Sequence, residues 1–387
     1  MKPKLILHIG TCKTGTSALQ TCMAKNQKFL MENKICYAAF HESNNFHLNL
    51  TLSLMREYFE QVDIHDAAPI DIPLGNIPIS SALYAEAPMD IVKRMKATFY
   101  ENNCDTMVIS DECLLESTIW WIFPFVLNSP PLLVGRRDYA LNFFKEAFNE
   151  FDIKIVCYLR RQDDYVESLY NQWTKGMNAE MYEVIFDNPS PPTVDKYRVD
   201  ENNAPNIHMA KLLNGMLNIN YYTHLEEWAK IYGKENIIIR TYEKSRLPKG
   251  IEYDFFMNVL SFDDASIENV KLYEEVNASF IKDIIEYKMA AKLFDLFVEI
   301  YHLNESPALA HLIANNKKNI LTAKQAEEII DYYTDSNARI AREYLNREDG
   351  VLFYDKKREA KDDYLGLSTQ AAIDISRELI LALQKKI

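Results

Sequence analysis

Five short, largely apolar runs constrain this chain more than any other feature: "LILHI" (5–9), "KICYAA" (34–39), "TMVIS" (106–110), "IKIVCYL" (153–159) and "NIIIRTY" (236–242). A strand with one wet face alternates polar and apolar residues. A run that is apolar throughout suits a strand covered on both faces, as in a parallel sheet. Helical patterns fill the intervals between runs. Leu19, Cys22, Met23 and Leu30 recur at near-helical spacing after Gly15, and Val166, Leu169, Tyr170 and Trp173 share one helical face beyond Asp163. Strand–helix alternation predicts a three-layer α/β fold with an open, mostly parallel sheet.

From about Ser261 the strand pattern stops. "NASFIKDIIEYKMAAKLFDLFVEIYHL" and "TAKQAEEIIDYYTDSNARIAREYL" both carry amphipathic helical periodicity. The expected organisation is an α/β core over 1–260 and an added helical C-terminal region over 261–387, packed on that core within one domain. Two proline-containing segments, 65–90 and 187–206, read as long surface loops, of a length often used for lids and binding loops.

Composition narrows the classes of function. With 387 residues, 48% of them hydrophobic, the chain can bury a substantial core, and its formal charge of -13 argues against a duplex nucleic-acid partner. The six cysteines (Cys12, Cys22, Cys36, Cys104, Cys113, Cys157) include no C-x-x-C pair and mostly sit in apolar runs, so they are expected to be reduced and buried. The apolar run after Lys4 breaks at Gly10, too short for a signal peptide, and no later run approaches a membrane span. A soluble, cytoplasmic protein is expected.

The chemistry concentrates in "HIGTCKTGTSALQ". Gly10 and Gly15 have the spacing of the phosphate-cradling loop G-x-x-x-x-G-K-[ST], so the expected sheet is P-loop NTPase-like. A strand end followed by a helix start leaves unpaired N–H groups and a dipole that favour an anion. Thr14, Thr16 and Ser17 add hydroxyl donors. Thr16 stands where such a loop has its lysine, and Lys13 lies inside the turn instead. Taken alone, the motif can also be a ligand-free Gly/Thr turn. A second constellation is "IKIVCYLRRQDDYVESLYNQW", a strand, a turn and a helix. Arg160 ends the strand and Ser168 follows eight residues later, so guanidinium and hydroxyl can converge on one phosphate.

Together these two elements resemble the sulfotransferases that use 3'-phosphoadenosine 5'-phosphosulfate (PAPS), the bacterial carbohydrate-type members in particular. The family's K-[ST]-G-[ST]-[ST] core is present as Lys13-Thr14-Gly15-Thr16-Ser17, and weaker similarity at 221–244, 274–280 and 341–353 extends over most of the chain. The resemblance implies that Cys12, Lys13, Thr14, Gly15, Thr16 and Ser17 bind the 5'-phosphosulfate, with Lys13 assisting departure of the bridging oxygen. It implies that Arg160 and Ser168 hold the 3'-phosphate, the group that most distinguishes PAPS from ATP. The reaction implied is sulfuryl transfer to an acceptor hydroxyl, with PAP as product, no metal, and a saccharide or glycan precursor as acceptor. Trp120, Trp121 and Tyr197 can stack on sugar faces or belong to the core. Arg136 and Arg137 can meet an acidic acceptor or form a solvated basic turn.

The acceptor hydroxyl also needs a base. Glu112 follows "TMVIS" at the carboxyl edge of the sheet, where α/β ligands bind. His47 lies in "HESNNFHLNL" with His41 and Glu42 close by. Both remain candidates, whereas His8, inside the first run, reads as a buried structural histidine. "TMVISDE" also looks like a Walker B element. With Gly10–Ser17 it makes a P-loop kinase or NTPase, holding magnesium through Asp111 and Glu112, the alternative. The lysine missing at position 16 speaks against that, and so does the Arg160/Ser168 pair. A third class is a PAPS or PAP binder without catalysis, against which Lys13 and the candidate bases speak.

Overall fold

The computed structural model describes residues 2–11, 13–38, 47, 49–51, 53–54, 57, 73–74, 77–78, 86–116, 130–182, 204, 206–215, 219–272 and 281–384. The chain forms two compact units. The first comprises Met1–Arg160, Asn220–Glu275 and Asp335–Asp355; the second comprises Arg161–Ile219, Val276–Thr334 and Lys356–Ile387.

The first unit is built on strands β1 (Lys4–His8), β2 (Ile35–Cys36), β5 (Thr106–Ser110), β6 (Asp152–Leu159) and β7 (Ile237–Thr241), in the order β2-β5-β1-β6-β7. Every pairing in this sheet is parallel, with His8 opposite Ser110 on one side and Val156 on the other. All five expected strands are therefore present in one sheet. Two further short strands, β3 (Pro73–Leu74) and β4 (Ile77–Pro78), pair antiparallel within the proline-rich segment 65–90. Most of that segment, and 187–206 apart from Ala204 and Asn206, lies outside the described residues.

Continuous apolar strands have two faces to bury, and both are covered. Leu5, Leu7, Ile109, Ile155, Cys157 and Ile239 pack with the helices Pro88–Glu101, Pro130–Ala147 and Tyr221–Tyr232, through side chains such as Phe99, Phe144 and Trp228. Ile6, Val108, Val156 and Tyr158 pack on the opposite face with the helices Thr16–Lys25 and Gly250–Asn258, through Leu19, Met23 and Phe255. Period-two alternation thus sends successive residues of each strand into different cores. A hydrogen-bonded ion pair between the half-buried Arg240 and the buried Asp254 ties β7 to the helix Gly250–Asn258, and Tyr158 Oη donates to the same carboxylate at 2.6 Å.

The second unit is helical apart from its loops, among the described residues. Its helix Gln162–Gly176 buries Val166, Leu169 and Tyr170 of the expected face, while Trp173 is only half-buried. The first turn carries Asp163 and Asp164, favourable at a helix N-terminus. These acids and Glu167 meet Arg161, Arg358 and Lys282 in a mostly buried network. Arg358 pairs with Asp163 (2.9 Å), Asp164 (2.8 Å) and Glu167, while Arg161 donates to Asp163 at 2.7 Å. At the other end of the helix the buried Lys288 ammonium donates to the carbonyls of Thr174, Lys175 and Met177 at 3.0–3.2 Å. It thereby satisfies acceptors that a helix end leaves unpaired.

The expected division at residue 260 is not the one the contacts make. The segment Arg161–Ile219 belongs with the helical unit, and Asp335–Asp355 belongs with the sheet. Helical periodicity identifies the face an element buries, but not the surface that will cover it. The turn expected at Arg136–Arg137 is likewise replaced by the helix Pro130–Ala147. A glycine such as Gly135 costs a helix only about 1 kcal/mol, and here Leu141 and Phe144 are buried further along the same helix. No described helix is long and apolar enough to cross a membrane.

Glu286 gives the second unit an expected pH dependence. It is buried, accepts from Tyr170 Oη (3.1 Å) and Asn206 Nδ2 (2.5 Å), and burial pushes its pKa up from 4.5 to about 7. A carboxyl raised in the folded state contributes stability that is complete below about pH 4.5 and lost as pH rises through about 7. The span corresponds to at most about 3.5 kcal/mol. Glu286→Gln is therefore expected to gain on the wild type as pH rises from 5 to 8, read as the difference in urea midpoints. A pH-independent difference would remove this role for the carboxyl.

Candidate anion-binding site at the carboxyl edge of the sheet

Beyond β1 the chain keeps pairing with β6 for a short distance. Ile9 N donates to Val156 O (3.0 Å) and Thr11 N to Tyr158 O (3.2 Å) before the backbone turns. The turn uses three left-handed residues, Gly10 (φ 69°), Lys13 (φ 65°) and Gly15 (φ 79°). Gly10 is required by space as well as by conformation, because a Cβ there would lie 2.8 Å from Glu112 Cα. At Gly15 a Cβ would come 3.1 Å from Ile251 and 3.2 Å from the Tyr242 ring. Gly10→Ala is expected to lower stability by roughly 1–2 kcal/mol from the left-handed conformation alone, and further by displacing Glu112. A urea midpoint equal to wild type would contradict that close approach.

Lys13 carries a side chain in the same strained region, a conformation that persists where its surroundings over-determine it. One such constraint is direct: Arg160 Nη1 donates to the Lys13 carbonyl at 2.7 Å. Thr14 Oγ1 donates to Thr11 O (2.6 Å), and Thr11 Oγ1 donates to Tyr158 O (3.1 Å). The Thr14 hydroxyl thus braces the turn from within rather than facing outward. Thr16 opens the helix and its hydroxyl donates to the Glu112 carboxylate, while Ser17 is exposed. No side chain caps this helix, so its first N–H groups, with Lys13 and Ser17, are a candidate set of donors for an anion. That donor set suits a phosphate or sulfate ester. Cys12 lies outside the described residues.

Sheet topology favours a ligand crevice at this edge. The helix after β1 packs on one face of the sheet, and the next long helix after β5 packs on the other. Neighbouring strands whose connections diverge leave a crevice at their carboxyl ends. Glu112, half-buried just after β5, is at that crevice, against Gly10 and hydrogen-bonded to Thr16. Asp111 points elsewhere: it is fully buried and accepts from Thr51 Oγ1.

The second candidate base has a different setting. His47 is 3% exposed; its Nδ1 accepts from Ser110 N at 3.1 Å, and burial lowers its pKa to about 4. The imidazole is therefore neutral and holds the end of β5. His8 is buried as expected, hydrogen-bonded to Ser110 Oγ at 2.8 Å, with its pKa lowered to about 3 by burial. His41, Glu42, Trp120, Trp121 and Tyr197 lie outside the described residues. Ser168 is half-buried on the helix Gln162–Gly176 of the second unit, whereas Arg160 directly follows β6 in the first.

Two tyrosines at this edge escaped the sequence reading. Tyr221 Oη donates to Arg160 O at 2.9 Å, and the Arg160 guanidinium lies 5.7 Å from the centre of the Tyr242 ring. Tyr242 ends the run "IIIRTY", so it sits at a carboxyl edge. Only the strand order, which places β7 beside β6, could have marked it as a neighbour of Arg160.

No family model matches the chain, and no solved structure matches it. An uncharacterized protein of Archaeoglobus fulgidus is similar, at 21% identity over 220 residues, 56% of this chain and 52% of the relative. The match thus spans about half the length of each protein.

Proposed function

We propose that this chain is a cytoplasmic PAPS-dependent sulfotransferase acting on a hydroxyl, with a saccharide as the acceptor class. The observation that supports this most is the hydrogen bond from Arg160 to the Lys13 carbonyl. It joins two elements, 147 residues apart, that the sequence singles out for the two phosphate ends of one nucleotide. In this reading the helix N-terminus and Ser17 receive the 5'-phosphosulfate, and Gly15 allows its close approach. Lys13 stabilises negative charge on the bridging oxygen, which helps most in the transition state, where that charge develops. Glu112 takes the acceptor proton, a role better suited to its position beside the loop than to the enclosed His47. The assignment of Ser168 to the 3'-phosphate rests on its sequence spacing from Arg160.

One contact favours the second reading, a P-loop kinase or NTPase. The Thr16–Glu112 hydrogen bond unites a helix N-terminal hydroxyl with an acid after β5, resembling the pairing such enzymes use around magnesium but one position before the hydroxyl of their motif, which here is Ser17. A thermal-shift comparison separates the two. PAP is expected to raise Tm more than AMP or ATP with magnesium, by mass action on the folded state. Stabilisation by ATP with magnesium alone would replace the sulfotransferase with the kinase, and equal shifts from PAP and AMP would remove the 3'-phosphate assignment.

A further inference from the structure

We infer that Arg160 is a positioning residue for the loop as well as a phosphate ligand, and that Tyr242 holds it in that place. The inference rests on the sulfonucleotide reading and deepens it: recognition of the 3'-phosphate is mechanically tied to the conformation of Lys13.

The geometry points to a closed chain of contacts. Tyr242 N donates to Leu159 O at 2.7 Å, which extends the β6–β7 pairing by a residue and anchors the tyrosine to the sheet. Its ring lies against Gly15, 3.2 Å from where a Cβ would be, and the Arg160 guanidinium sits 5.7 Å from the ring centre. The guanidinium donates to the Lys13 carbonyl at 2.7 Å, and the Arg160 carbonyl is itself held by Tyr221 Oη at 2.9 Å. The two left-handed residues around Thr14 are therefore each held by one member of the Arg160–Tyr242 pair. Lys13 has no glycine freedom to stay at φ 65° unaided. The bond to Lys13 uses one of the five N–H donors of a guanidinium, and the planar fork can present others to a phosphate.

A residue that only bound the 3'-phosphate would be invisible to a nucleotide lacking that group. A positioning residue would not be, because the loop for the 5'-phosphate depends on it. AMP, which has no 3'-phosphate, is the discriminating probe. By isothermal titration, Arg160→Ala is expected to weaken AMP about tenfold and PAP by more, as loss of a hydrogen bond from a charged group allows. Tyr242→Ala should weaken AMP several-fold without removing any phosphate ligand, and Arg160→Lys should recover part of the AMP affinity but little of the PAP preference. In a Lys13→Ala background, Arg160→Ala should still weaken AMP, because the bond it removes is made to the main-chain carbonyl at position 13. Wild-type AMP affinity in folded Arg160→Ala, or in Tyr242→Ala if the arginine variant fails to fold, overturns the inference and leaves the sulfonucleotide reading standing. A wild-type protein that binds neither PAP nor AMP overturns that reading and this inference with it.

Discussion

Lys13→Ala is expected to leave the fold and the affinity for PAP close to wild type while sulfuryl transfer falls by about 10²–10³-fold, the usual loss for one charge-stabilising donor. The lysine is half-buried in a surface turn and belongs to no hydrophobic core, so little packing is lost with it. The main-chain bond from Arg160 survives the substitution, since it is made to the carbonyl. In the proposed reaction, what disappears is the ammonium that would stand beside the departing phosphate oxygen. That charge grows as the S–O bond breaks, so the defect should fall on turnover rather than on donor binding. Release of PAP from PAPS in the presence of saccharide acceptors measures turnover, and a thermal melt checks the fold. Full turnover in the variant would sink the mechanism.

Arg358→Ala should destabilise the protein by about 3–5 kcal/mol, because it breaks a buried ion pair from one side only. Its guanidinium is 6% exposed and faces Asp163, Asp164 and Glu167, of which Asp163 has no exposed side-chain surface. Arg161 still donates to Asp163, and Lys282 stays 3.4 Å from Glu167, so the acids keep some compensation. Three carboxylates would nevertheless face two cations where three stood before. Urea unfolding should show the loss. Replacing Arg358 together with Asp164 by apolar residues should recover part of it, since Arg161 then still pairs with Asp163 and Lys282 with Glu167, and the charges balance again. A single variant as stable as the wild type would mean that water already screens this network.

His47 shows where reading residues one at a time runs out. Its position soon after the second apolar run made it a plausible base, yet Ser110 N donates to its Nδ1 and burial lowers its pKa to about 4. Glu112 looked equally plausible and instead lies against Gly10 with Thr16 hydrogen-bonded to its carboxylate. Both follow strands and both are polar in apolar surroundings. The difference between them is which neighbour closes over the side chain, and no local pattern records that. Thr14 makes the same point on a smaller scale: its hydroxyl counted as a ligand donor, but it braces Thr11 inside the turn.

What the amino-acid order determined by itself was everything set within a few residues. Continuous apolar runs specified five strands of a parallel sheet, and glycine spacing specified a left-handed turn between β1 and its helix, with Lys13 inside it. These follow from backbone sterics and from the number of faces a strand must bury. The tertiary structure alone decided the strand order β2-β5-β1-β6-β7, which sets Arg160 and Tyr242 beside Lys13 and Gly15. It also decided that Arg161–Ile219 joins one unit and Asp335–Asp355 the other. Hydrophobic burial is non-directional: an amphipathic face states that it will be covered, and only the assembled chain determines by what.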